Sequence, residues 1–403
     1  MSWETAMLGD VCTLITDGKH GDCKNEENSG FYFISAKDIK NGKIDYIKAR
    51  QITESDFAET HRRTDLRPGD VLITNSGTIG RLAVTEDEPR TRNTTFQKSV
   101  AILKPITTII RSHFLYYSLE KDKTRLTNTA GGAAQKNLLL GDLRRFEIAI
   151  PNLKQQDDLV SYLKIYDDLI ENNKRRIALL EESARQLYKE WFVRFRFPGH
   201  EHVKIVDGVP EGWVNGVVAD LGEVVTGKTP STKISENYGG DIPFIKTPDM
   251  HASSIVLQTE QCLSERGANS QLNKFIPKFS TLVACIGAGL GVVSLSSKRC
   301  QTNQQINSIV PKLEAYTFYS YLTLKDFREK LLAIGGGATM PNVNKSKFSN
   351  MKILLPNHKL LENFHEAVAP SFLQMEKLTG MNQRLIQARE LLLPKLMSGE
   401  LTV

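Results

Sequence analysis

Hydrophobic positions change period twice along the chain. Up to Pro151 they fall in short runs rich in β-branched and aromatic residues, bounded by Gly, Asn and Asp. Residues 31–35, 71–74 and 99–103 therefore predict strands. Residues 112–119 space their apolar side chains as a helix does and lead to Gly131-Gly132, and residues 146–150 predict a last strand ending at Pro151. Beyond it the spacing becomes three and four. Leu163, Ile170, Ile177, Ala184 and Trp191 make one row, and Leu159, Tyr166, Asn173, Leu180 and Leu187 make the other. Such rows are the seam of a coiled coil, and Asn173 is the one polar residue in it, of the kind that costs stability but fixes register. The predicted helix stops at Phe197-Pro198-Gly199, where proline cannot continue it.

The pattern then starts again. Leu8-Gly9-Asp10-Val11 and Gly18-Lys19 return as Leu221-Gly222-Glu223-Val224 and Gly227-Lys228. Phe33-Ile34 with Asp38 returns as Phe244-Ile245 with Asp249, Leu72 and Gly77 as Leu282 and Gly287, Gln97 as Gln304, and Asn137 and Pro151 as Asn342 and Pro356. The offset drifts only from 213 (Leu8 to Leu221) to 205 (Gly132 to Gly337), as small loop insertions in one duplicated unit produce. Solenoid repeats are roughly 20–50 residues long, so each of these units is a domain instead. A helix over 316–332, the glycines Gly335-Gly336-Gly337 and a strand over 351–355 complete the second copy. A second seam follows: Val368, Phe372, Met375, Leu378, Met381, Leu385, Ala388 and Leu392. Pro370 and Pro394 predict a break or kink near each of its ends. Pairing the two seams is the simplest way to bury both. The expected fold is α+β: two similar mixed α/β domains joined by two long helices in an antiparallel coiled coil, a pseudo-twofold internal repeat. Its boundaries are 1–150, 151–197 for the central helix, 198–355 for linker and second domain, and 356–403 for the C-terminal helix.

Composition adds constraints. The 403 residues are 40% hydrophobic, enough for two or three cores. Lys plus Arg exceed Asp plus Glu by 52 to 46, a net charge of +6 compatible with a polyanionic partner. Cys12, Cys23, Cys262, Cys285 and Cys300 contain no CxxC spacing, so reduced thiols in a cytoplasmic protein are expected. The start, Met1-Ser2-Trp3-Glu4, lacks the basic-then-apolar order of a signal peptide. Residues 279–297 carry no charge, but three glycines and many Ser and Thr make them a buried strand-turn-strand rather than a membrane span.

Of the catalytic motifs, HExxH and GxSxG do not occur. Gly287-Ala288-Gly289-Leu290-Gly291 resembles a nucleotide fingerprint, yet Val292-Val293-Ser294-Leu295 behind it predicts a strand, not the helix whose N-terminus would meet a phosphate. Gly77-Thr78-Ile79-Gly80 holds the same place in the first copy, so both are tight turns. His20, His61, His113 and His251 form no repeated cluster with carboxylates.

Polar loops carry the stronger signal. In the first copy the candidate DNA-binding residues are Lys19, His20, Asn75, Ser76, Arg81, Arg92, Asn93, Lys98, Lys136 and Asn137, with Gln135 beside them. In the second they are Lys228, Lys246, Lys298, Arg299, Asn303, Gln304, Asn342 and Lys345. Cationic ends neutralise phosphates, while Arg, Asn and Gln grip base edges through two hydrogen bonds. Matching regions with different side chains suggest two related readers of two different words.

At this point the chain resembles the specificity (S) subunits of type I restriction-modification systems. Ile150-Pro151-Asn152-Leu153-Lys154-Gln155-Gln156, the segment ending Leu187-Tyr188-Lys189-Glu190-Trp191-Phe192, and the terminal LLLPKLMSGEL at 391–401 carry the resemblance. The junction usually reads Glu-Gln, so Gln155-Gln156 departs mildly and residues 357–362 depart further. The resemblance implies two target-recognition domains that read an asymmetric bipartite site in double-stranded DNA. It also implies helical regions that dock two methyltransferase subunits and, through that core, restriction subunits. S-adenosylmethionine, ATP and magnesium would belong to those partners, and this chain would hold no cofactor, metal or catalytic residue. Two readers on an antiparallel helix pair would mimic a symmetric dimer within one chain, and dimers read half-sites roughly one DNA turn apart. Alternatives are a stand-alone DNA-binding or scaffold protein, or an S-adenosylmethionine-dependent enzyme using the glycine run.

Overall fold

The computed structural model describes residues 3–131, 136–251, 253–336 and 341–401. Gly132, Gln135 and Gly337 lie outside the described residues. The chain divides into two units, residues 1–168 with 385–403, and residues 169–384.

In the first unit an antiparallel sheet runs in the order Cys12–Asp17, Val100–Pro105, Val71–Thr74, Leu82–Val84. Its two inner strands are buried along nearly their whole length, as a central strand of β-branched residues requires. A smaller sheet orders Arg50–Gln51, Tyr32–Ile34 and Thr94–Phe96, the last two parallel. Glu4–Met7 pairs with Glu147–Ile150, closing the domain beside Pro151. Helix Ser112–Lys121 buries Phe114, Leu115 and Leu119 against the large sheet's core.

The second unit repeats this order. Gly222–Thr226, Ile306–Pro311, Thr281–Ala284 and Val293–Ser296 form its large sheet, with Ile255–Val256 added at the edge. Cys262–Leu263, Tyr238–Ile245 and Gln301–Thr302 form the small one, again with one parallel pair. Val214–Val217 pairs with Lys352–Leu355. The sequence repeat is thus a repeat of topology, with strands within a residue or two of expectation. Thr281–Ala284 and Val293–Ser296 pair antiparallel across the 287–291 turn, so the uncharged stretch is the expected strand-turn-strand. No helix among the described residues is long and apolar enough to cross a membrane. The helix expected over 316–332 is interrupted: Thr317–Asp326 ends at Phe327, whose N–H caps Thr323 and Leu324, and Arg328–Gly335 restarts behind it.

Two long helices, Leu153–Tyr188 of 36 residues and His358–Met397 of 40, carry the seams. In the second unit Asn173 meets Asn382 while Trp191 meets Phe364, so the two helical segments run antiparallel. In the first unit Asp167 pairs with Arg389, and Leu159 and Leu163 share a core with Leu396, Met397 and the partly buried Leu392. Ile170, Asn173, Ala184, Trp191 and Leu378 are buried, and Ile177, Leu180, Leu187 and Leu385 half-buried, as seam positions should be.

Several expectations need correction. The central helix ends at Tyr188, and Trp191 sits in a π-helical turn, Lys189–Val193, rather than on an unbroken helix to Phe197. Met381 is turned outward, 49% exposed, and the seam position beside it is Asn382. Asn173 is therefore not the lone polar seam residue. A search for apolar residues passes over an asparagine and lands on its methionine neighbour. Pro370 and Pro394 do not break the second helix. The carbonyls deprived of a donor belong to Glu366 and Glu390, four residues back, and both residues are exposed, so water can satisfy them.

Both helices start alike. Asn152 caps the first by accepting the Gln155 N–H at 3.0 Å, and Asn357 caps the second by accepting the Leu360 N–H at 2.9 Å. The amide of Gln156, fully buried, donates to the carbonyls of Ile109 and Pro151 and accepts the Arg111 N–H. Leu361 takes that buried place in the second copy, so the departure at 357–362 swaps a polar anchor for an apolar one without losing the helix start.

Candidate nucleic-acid interface

The glycine of each Gly-Lys pair is forced by a close backbone crossing. A Cβ on Gly18 would lie 1.9 Å from the Phe96 carbonyl oxygen, and one on Gly227 would lie 2.1 Å from that of Asn303. The next N–H in each copy bonds across the same crossing: Lys19 to Phe96 and Lys228 to Thr302, both at 2.9 Å. Gln97 then bonds back to Ile34, and Asn303 to Ile245, so Gln97 answers to Asn303 and Lys98 to Gln304, one residue off the pairing expected from sequence. The N–H of Asn75 meets the Ser99 carbonyl and that of Cys285 meets Gln305, while Leu138 and Val343 donate to the carbonyls of Asn75 and Cys285. Asp38 and Asp249 each accept a backbone N–H at the start of a short 3₁₀ turn, from Ser35 at 2.9 Å and Lys246 at 2.8 Å. The glycine turns match as well, with φ of +74° and +82° at Gly77 and Gly80 and +77° and +84° at Gly287 and Gly291. One backbone frame therefore gathers the same set of loops in both domains.

In the first domain that frame brings together Lys19, His20, Asn75, Ser76, Lys98 and Asn137. Ser76 and Asn137 form a β-bridge, and Lys136 is exposed beside them. Lys98 is exposed, with its N–H on the Lys19 carbonyl. Lys19 holds Glu59 at 3.2 Å, and the His20 ring is 2.8 Å from Asp17. Asn75 is buried with its Oδ1 unpartnered, so it shapes the loop from inside and does not present an edge to solvent. Arg81 is half-buried, donating to the Ala36 carbonyl at 3.2 Å.

In the second domain the frame gathers Lys228, Lys246, Asn303, Gln304 and Asn342, the last bridged to Ile286. Lys345 opens the short helix Lys345–Ser349, capped by Asn344. Gln305, absent from the sequence candidates, is the loop's anchor. Its Oε1 accepts from Thr247 and from the Asn303 amide, each at 3.2 Å. The amide run of 303–305 was the available signal, read one residue short.

Four candidates attach elsewhere. Arg92 pairs with Asp87, and the Asn93 carbonyl receives the Tyr32 N–H. Lys298 and Arg299 flank the Ile276–Cys300 bridge, with the Arg299 guanidinium 3.4 Å over the Phe275 ring. None of these bonds joins the loop cluster. Burial pushes the Cys285 thiol up to about 11 and that of Cys300 to about 12.

The family model described as the type I restriction modification DNA specificity domain matches residues 1–182 and 210–360, once per copy. The chain belongs to that family. Its relatives include the HindI specificity subunit of Haemophilus influenzae, 29% identical over 99% of both chains. They also include the MjaIX specificity subunit of Methanocaldococcus jannaschii, 27% identical over 100% of this chain and 94% of the relative. Among solved structures, the S subunit from M. genitalium matches with a TM-score of 0.61 at 14% identity, over 98% of this chain and 96% of that one, which shows a shared fold. In this specificity protein the two matched regions correspond to the two domains whose loops share one frame.

Proposed function

We propose that this chain is the DNA sequence-recognition subunit of a type I restriction-modification complex, reading one half of an asymmetric bipartite site with each domain. The observation that carries the reading is the pairing of an identical loop frame with different side chains. A conserved frame fixes how loops meet the duplex, while Lys98 and Lys136 in one copy and Gln304 and Asn342 in the other would select different bases. The chain itself would perform no chemistry. Two methyltransferase subunits holding S-adenosylmethionine, and restriction subunits using ATP and magnesium, would dock on the long helices. Tyr162, Ile165 and Leu179 on the central helix, and Leu373, Met381 and Leu391 on the C-terminal one, are exposed apolar residues suited to such partners. The DNA-binding residues proposed are those of the loop cluster other than buried Asn75, with Arg92, Asn93, Lys298 and Arg299 as outlying phosphate contacts. Mapping adenine methylation in the native host with and without this chain tests the proposal. Loss of one bipartite motif is the expected outcome, and an unchanged map overturns it.

A further inference from the structure

Among the loop residues of the second domain, Gln304 stands apart in how its side chain is held. Its neighbours spend their amides on the loop: Asn303 Nδ2 donates to Gln305 Oε1, and Asn303 Oδ1 accepts the Gln305 N–H at 3.2 Å. Gln304 is exposed, and its one side-chain bond among the described residues comes from the Thr229 hydroxyl to Oε1 at 2.6 Å. Thr229 follows Lys228, whose N–H is fixed to Thr302, so both ends of this contact sit on pinned backbone. A long glutamine side chain ordinarily loses rotamer freedom when it grips a base, and a preformed hydrogen bond removes part of that cost in advance.

The remaining hydrogen-bonding capacity is specific. The carbonyl oxygen keeps a second lone pair and the NH₂ group keeps its donors. In the major groove adenine offers an N6 donor beside the N7 acceptor, which satisfies both. Guanine offers two acceptors there, cytosine a donor, and thymine an acceptor with a methyl group, so each of these leaves half the amide unmet. We infer that Gln304, oriented by Thr229, reads an adenine in the half-site addressed by the second domain. The first domain is not built to read the same base at this position. The place of Gln304 is held there by Lys98, and the place of Thr229 by His20, whose ring is bound to Asp17. The inference rests on the DNA-recognition reading above and assigns one letter of one word.

The full chain in its native host supplies the test. With Gln304→Ala, one adenine position in a single half-site should become degenerate, its discrimination falling by about 5- to 150-fold, while the other half-site and the spacer stay as they were. Thr229→Val should move the same position less, and Thr229→Ser should restore it. Binding of the purified complex to duplexes with 7-deazaadenine at that position, which lacks N7, should weaken for the wild type and change no further for Gln304→Ala. A motif unaltered by Gln304→Ala, or alteration at a G·C pair, overturns the assignment. If the wild type yields no motif dependent on this chain, the recognition reading itself fails and takes the adenine assignment with it.

Discussion

At the scale of single residues, the chemistry that sequence could reveal was the chemistry of repeated positions. Gly18 and Gly227 recur because a backbone oxygen occupies the space of a side chain, and Asp38 and Asp249 recur because each caps a turn. Residues without a counterpart needed coordinates. His365 is one: its ring stacks on Phe318 with centroids 5.1 Å apart, Glu314 lies 3.7 Å away, and Nδ1 has no hydrogen-bond partner among the described residues. Burial holds its pKa below the usual value, against the opposing pull of Glu314 and Glu366. As pH falls through about 6.5 the unfolded chain binds a proton that the folded chain resists, so this group makes stability decline on acidification from there downward. Replacing His365 with Phe keeps a ring against Phe318 and removes the titration. Denaturant midpoints between pH 7.5 and 5.5 should therefore fall less for the variant than for the wild type, and equal falls would contradict the assignment.

Among elements, the long helices were read correctly as seams but in part with the wrong partner side chains. The 3-4 spacing located Leu163, Ile170 and Ala184, all buried, because apolar residues at that period have few other ways to be covered. Two polar residues defeated the same reasoning on the second helix, where Asn382 and Arg389 hold seam positions. Asn173 donates to Asn382 at 2.9 Å, and the Asn382 amide donates to the Ile170 carbonyl at 3.2 Å. Replacing Asn173 alone with Leu strands the buried Asn382, at a cost of about 1–3 kcal/mol. Replacing both with Leu should recover most of that stability, since an apolar pair of similar size fills the place without unmet groups. Urea unfolding of the two variants measures this, and a double variant less stable than the single would count against it. The anchors at the helix starts behave similarly. Buried Gln156 and buried Leu361 solve one packing problem with different chemistry, which no pattern of hydropathy could equate.

For the whole molecule, each long helix contributes residues to both units, the central one for 36 residues or about 54 Å. If the helices set the distance between half-sites, adding one heptad to each should change the spacer of the methylated motif and leave both half-site words intact. A motif with altered words and the original spacer would refute that role. The sequence by itself determined the duplication, several strands of each copy and the presence of two seams, because these follow from periodicity and from glycines that steric crowding makes obligatory. Tertiary structure alone decided which loop residues share a surface, that Asn75 is buried while Gln304 is exposed, and that Asn173 finds Asn382. Those outcomes depend on contacts between residues distant in the chain, and local spacing carries no record of them.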